Sequence, residues 1–123
     1  MVGSLPLHRQ CELLFFFRNM VGVLRNLAAL NAEVKAAQYV VVDFFATWCG
    51  PCKMLAPKLE AMAASFPHVK FFKVDVDEAE DCAQHFKIEA MPTIVFFTNG
   101  VEVNRVTGAN ESAIKSQVTA WPK

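Results

Sequence analysis

Cys49-Gly50-Pro51-Cys52 sets two thiols three positions apart, with Trp48 before the motif and Lys53 after it. It stands between an apolar run, Tyr39 to Ala46, and a stretch with helical periodicity that follows Pro51. At the start of a helix this spacing puts the sulfurs about one turn apart, close enough for a disulfide or for attack by one on the other. The unpaired N–H groups and partial positive charge of a helix start favour a thiolate at Cys49, the expected nucleophile. A purely structural bridge closing so short a loop would contribute only about 2 kcal/mol. A zinc site completed by Cys82 and His85 is disfavoured, because the segment between the two pairs reads as helix, strand and helix rather than as Gly-rich knuckles. The expectation is redox chemistry at Cys49 and Cys52, with no metal.

Asp43, six residues before Cys49, interrupts the apolar run. Burial there would disfavour its charge and raise its pKa, which suits a general base taking the proton from Cys52. An exposed Asp at a sheet edge is the plainer alternative. Trp48, beside an exposed helix start, is expected to form an apolar platform next to the nucleophile rather than to fill the core. Pro51 offers neither charge nor N–H to the thiolate, so the pair should act as a reductant.

The elements that must hold these residues are legible in order. A short strand over Val21 to Leu24 precedes a helix that Asn26 caps, with Leu27, Leu30 and Val34 on one stripe. Tyr39 to Ala46, rich in β-branched and aromatic residues, has the pattern of a strand covered on both faces. The helix after Pro51 is read with Met54, Leu55, Leu59, Met62 and Ala63 toward the core, and with a kink at Pro57. A strand over Val69 to Val76, a helix over Ala79 to Phe86 and a strand over Ile94 to Phe97 follow. Asn99-Gly100 then turns the chain into Val101 to Val106, and Asn110 caps a last helix with Ile114, Val118 and Trp121 on one face. The order β-α-β-α-β-α-β-β-α predicts an α/β fold, a mixed central sheet with helices on both faces.

At 123 residues, just over half of them apolar, the chain fits one domain with a substantial core. Twelve basic and twelve acidic side chains balance, and the basic ones are scattered. Neither a nucleic-acid footprint nor a polybasic membrane surface is visible, so protein partners and a monomer are expected. Four cysteines do not make a disulfide framework, which favours a reducing compartment.

Four segments together resemble the thioredoxin family from about Val21 to the C-terminus: Val42 to Lys53, Lys73 to Asp77, Met91 to Thr93, and Gly108 with Ala109. The resemblance implies a thioredoxin fold and a protein disulfide reductase whose redox-active centre is the Cys49–Cys52 pair. Electrons would come from NADPH through a flavoprotein thioredoxin reductase, with no bound cofactor. It implies further that Asp43 is the base, that Lys73 is its charge partner, and that Met91-Pro92 is a cis peptide facing the dithiol. Disulfide-containing clients would pair with the Met91 backbone, in contact with Trp48, Gly50, Pro51, Pro92, Gly108 and Ala109. A binding module that uses the same surface and lets go on oxidation is the rival reading; an isomerase or oxidase is disfavoured by Pro51.

Other residues promise less. Asp75, Asp77, Glu78, Glu80 and Asp81 do not form a calcium loop, since Glu80 and Phe86 stand where Gly and a bidentate Glu are required. Acids at a helix start account for them. Cys82 is read as packing, and His68 and His85 as surface residues. Residues 1–19 form an extension ahead of a domain spanning 20–123. Its Leu13 to Phe17 run is too short to span a membrane, and Arg9, Arg18 and Arg25 are compatible with organellar, for example mitochondrial, targeting. With Met20 as the working start, the cytoplasm is the expected location.

Overall fold

The computed structural model describes residues 21–123. The N-terminal extension, Cys11 and the Leu13 to Phe17 run lie outside the described residues. Five strands and four helices alternate in the predicted order: β1 (Val21–Val23), α1 (Leu27–Ala36), β2 (Tyr39–Phe45), α2 (Gly50–Ser65), β3 (Lys70–Asp75), α3 (Glu80–His85), β4 (Thr93–Thr98), β5 (Val101–Thr107) and α4 (Glu111–Thr119).

Local chemistry sets the boundaries. Asn26 Oδ1 accepts from the Ala29 N–H at 2.8 Å and Asn110 Oδ1 from the Ala113 N–H at 3.1 Å, so both predicted caps satisfy otherwise orphaned helix donors. Asn99 and Gly100 both take positive φ, 52° and 84°, the backbone demanded by a tight hairpin between β4 and β5. Pro57 lies inside α2, which continues through it to Ser65.

The sheet order is β1-β3-β2-β4-β5. β3 runs parallel to both β1 and β2, whereas β4 runs antiparallel to β2 and β5. β2 is thus central, and its alternating side chains feed two separate cores. Tyr39 and Val41 join Phe71, Ile94 and Phe96 beneath α2 and α4. Val40, Val42 and Phe44 join Val74, Val95 and Phe97 beneath α1 and α3. Near its outer edge the ladder slips: Phe96 pairs with Asn104 and Phe97 with Glu102, leaving Val103 as an extra residue in β5.

Three details differ from the sequence reading. Met54 is 70% exposed, because it lies four residues before Lys58 and seven before Ala61 on the outward side of α2. Trp121 lies beyond the end of α4, and its ring folds back to stack on Tyr39 with centroids 4.9 Å apart. His68 is half-buried rather than a surface residue, with Nε2 3.3 Å from the Trp121 carbonyl oxygen. Among the described residues no helix is long and apolar enough to cross a membrane.

Candidate active site

Cys49 and Cys52 are joined as a disulfide at the seam where β2 gives way to α2, with Cα atoms 5.3 Å apart. The Cys49 N–H donates to the Ala46 carbonyl at 3.1 Å, which turns the chain out of the strand. Cys49 is itself the N-cap of α2, with Gly50 and Pro51 opening the helix. In place of the usual capping oxygen, its sulfur accepts a hydrogen bond from the Cys52 backbone N–H at 3.2 Å. A negative charge on that sulfur would be met by this N–H and by the positive end of the helix, an arrangement that favours a thiolate there once the disulfide is reduced.

Both cysteines are largely covered, 5% and 3% exposed, within a small cluster that includes Ala46, Phe45, Val76 and Met91. Met91-Pro92 is a cis peptide, as the resemblance implies, and the Met91 carbonyl oxygen lies 3.7 Å from Cys49 Sγ. The Gly108 N–H donates to the Pro92 carbonyl at 2.8 Å, which ties the loop before α4 to the cis-proline loop. Gly108 has φ of 99°, a conformation that favours glycine. Ala109 beside it is exposed, as are Gly50 and Pro51. Cys49, Met91, Pro92 and Gly108 are therefore linked where β2 gives way to α2.

Asp43 is buried at 5% exposure and its Oδ1 has no hydrogen-bond partner. Burial pushes its carboxyl up to about 7, and the positive charge of Lys73 opposes that rise. Asp43 and Lys73 are register partners across β2 and β3. The Lys73 ammonium also stands 5.9 Å from the centre of the Phe45 ring. Asp43, Lys73, Cys52, Lys53, Ala46 and Thr47 help line one cavity of about 230 Å3. Asp43 and Cys52 thus line a shared cavity.

Trp48 is 67% exposed, and its indole N–H donates to Asp77 Oδ2 at 3.0 Å. From sequence Asp77 is the end of the Lys73 to Asp77 segment and one acid of a helix start; nothing there signals this link, which spans 29 positions. Asp81 also does more than place a charge in the first turn of α3: its Oδ2 accepts the Leu27 N–H of α1 at 2.8 Å. Asp77 is a positioning residue for Trp48. Losing a hydrogen bond to a charged acceptor, about 1.5 to 3 kcal/mol, should free the ring. In a Trp121→Phe background, Asp77→Ala is expected to lower Trp48 fluorescence anisotropy and to cut protein-disulfide turnover about tenfold, with Asp77→Asn restoring both. Unchanged anisotropy in the Ala variant would remove the positioning role.

Cys82 is a free, fully buried thiol whose pKa is pushed up to about 11, first by burial and then by Asp81. It is packing, as expected, and unsuited to nucleophilic work. Among the described residues no cluster of His, Cys, Asp and Glu is arranged to hold a metal ion.

A mixed five-stranded sheet carrying a capped Cys-Gly-Pro-Cys disulfide beside a cis-proline defines a thiol–disulfide oxidoreductase. The thioredoxin family model matches residues 22–120, and the chain belongs to the thioredoxin family. It is 53% identical to thioredoxin-2 of Saccharomyces cerevisiae over 102 residues, which cover 82% of this chain and 98% of that protein. The crystal structure of Fasciola hepatica thioredoxin superposes with a TM-score of 0.78 at 46% identity, covering 80% of this chain and 97% of that one. A second structure concerns the thiol resolving mechanism of yeast mitochondrial 1-Cys peroxiredoxin through the glutathione and thioredoxin systems. It matches with a TM-score of 0.80 at 36% identity, covering 85% of this chain and 98% of its own.

Proposed function

We propose that the protein reduces disulfides in client proteins through Cys49 and Cys52 and is recharged by an NADPH-dependent thioredoxin reductase. The observation that carries this reading is the Cys49 sulfur capping α2 and accepting the Cys52 N–H at 3.2 Å. In the reduced state the Cys49 thiolate attacks one sulfur of a client disulfide. A Cys49–client bond forms, the client disulfide breaks, and the departing thiolate takes up a proton. Cys52 gives its proton to ionised Asp43 across the shared cavity. The Cys52 sulfur then attacks Cys49 Sγ, forming the intramolecular disulfide and expelling the second client thiolate. The client gains two electrons and the pair loses two, which the reductase returns from NADPH.

Trp48, Gly50, Pro51 and Ala109 form an exposed rim against which a client segment rests, and the Met91 backbone is the edge with which it pairs. Lys73 moderates the rise in the Asp43 pKa, so that enough carboxylate is present near neutrality. Pro51, with no charge to stabilise the reduced pair further, keeps the site reducing. We assign the protein to a reducing compartment, the cytoplasm unless residues 1–19 direct it to an organelle.

The test is to stall the cycle between its two attacks. Cys52→Ser should accumulate a mixed disulfide between Cys49 and a client such as insulin, released by dithiothreitol and detected by mass. Recovery of a non-covalent complex alone would replace turnover by redox-gated binding.

A further inference from the structure

Among the described residues, two of the large apolar side chains that remain exposed, Trp48 and Met54, lie close to the dithiol in sequence. Trp48 is held in place by Asp77; Met54 is bonded to nothing that explains it. It belongs to an outward side of α2 that also carries Gly50, Pro57, Lys58 and Ala61, all exposed and spaced so as to share one helix face. Met54 stands out at the reactive end of this face, 70% exposed and three residues from Pro51 beside the dithiol. The same part of the helix is one-signed in charge. From Gly50 to Leu59 it carries Lys53 and Lys58 and no carboxylate. Lys58 is paired with Glu111 at 3.4 Å, whereas Lys53, next to Met54, takes part in none of the ion pairs among the described residues.

We propose that Met54 and Lys53 form a specificity contact for the client: an apolar side chain near the attacked cysteine rests on Met54, and a neighbouring carboxylate meets Lys53. This rests on the reading that Cys49 attacks client disulfides. The contact is continuous with the rim at Pro51, since residues three apart are neighbours on a helix surface. It supplies what the backbone pairing at Met91 lacks, a preference for side chains. An exposed thioether suits many shapes because it is flexible and polarisable, so the preference is for a chemical class rather than for one sequence. Lys53 adds an attraction that salt screens.

The experiment compares kcat/KM for two disulfide-linked peptides that differ only beside the attacked cysteine, with Leu and Glu in one and Ser at both positions in the other. The wild-type protein should favour the Leu-Glu peptide about tenfold. Met54→Gln, of similar length but polar, should cut that ratio about fivefold, and Met54→Leu should keep it within about twofold. Lys53→Gln should lower the ratio about twofold and abolish its dependence on ionic strength. A ratio unchanged by Met54→Gln, with both peptides still turned over, overturns the specificity contact and leaves the reductase reading intact. Failure of the wild-type protein to reduce either peptide overturns both.

Discussion

Cys49→Ser is expected to reduce insulin no faster than dithiothreitol alone, across the whole pH range of the assay. A hydroxyl at this position keeps the cap on α2 and the hydrogen bond from the Cys52 N–H, so the fold has little reason to change. What disappears is, among the described residues, the only sulfur that caps the helix start. Cys52 lies inside α2 without the cap position that Cys49 holds, and Cys82 is fully buried with its pKa pushed up to about 11, so neither substitutes. The measurement is the turbidity of precipitating insulin chains, with a melting curve to show that the variant is folded. Residual turnover above one-tenth of wild type would transfer the nucleophile elsewhere and with it the scheme of two attacks.

Asp43→Asn should separate the two halves of the cycle. Formation of the mixed disulfide continues, while its resolution slows by about 10²- to 10⁴-fold, the usual worth of a positioned base. In the wild-type protein the resolving rate should climb with pH through about 7, where the Asp43 carboxyl ionises, and the Asn variant should lose that inflection. Stability should move in the opposite sense. In the oxidised protein Asp43 holds its proton up to about 7, whereas the unfolded chain releases it near the ordinary value of 3.8. Between those two pH values the folded state binds the extra proton, so stability falls as pH rises and the full penalty is present above the folded value. The linkage amounts to about 4 kcal/mol. Asn abolishes that slope and still buries a polar amide, so the variant should be more stable than wild type at pH 8 by about 1 to 3 kcal/mol. Denaturant unfolding at pH 4 and pH 8 measures it; parallel slopes in the two proteins would place the proton on another group.

Much of this was legible in the sequence because local signals agreed with the tertiary structure. The unbroken apolar run of β2, the Asn26 and Asn110 caps and the Asn99-Gly100 turn each specify their element without help from distant residues. Asp43 stood out because a carboxyl in such a run has no cheap explanation other than function. The failures were of another kind. Met54 was placed inward because it is apolar, although its angular position on α2 is that of Lys58 and Ala61. Trp121 was placed on α4, yet it is the stacking surface of Tyr39, 82 positions earlier by number, that captures the ring beyond the helix end. The Asp77 bond to Trp48 depends on how two loops meet at the end of the sheet, which no periodicity encodes.

The slipped pairing of β5 bears on how such a protein survives its own trade. An outer strand with regular free N–H and C=O groups recruits any extended chain that drifts past, and polypeptides opened by the loss of a disulfide offer many such chains. Here the surplus Val103 breaks the regular spacing, and Glu102 and Arg105, clasped at 2.7 Å, set charge along the same margin. Along this margin loosened polypeptides find a poor template, and the flank resists growing into a fibril seed.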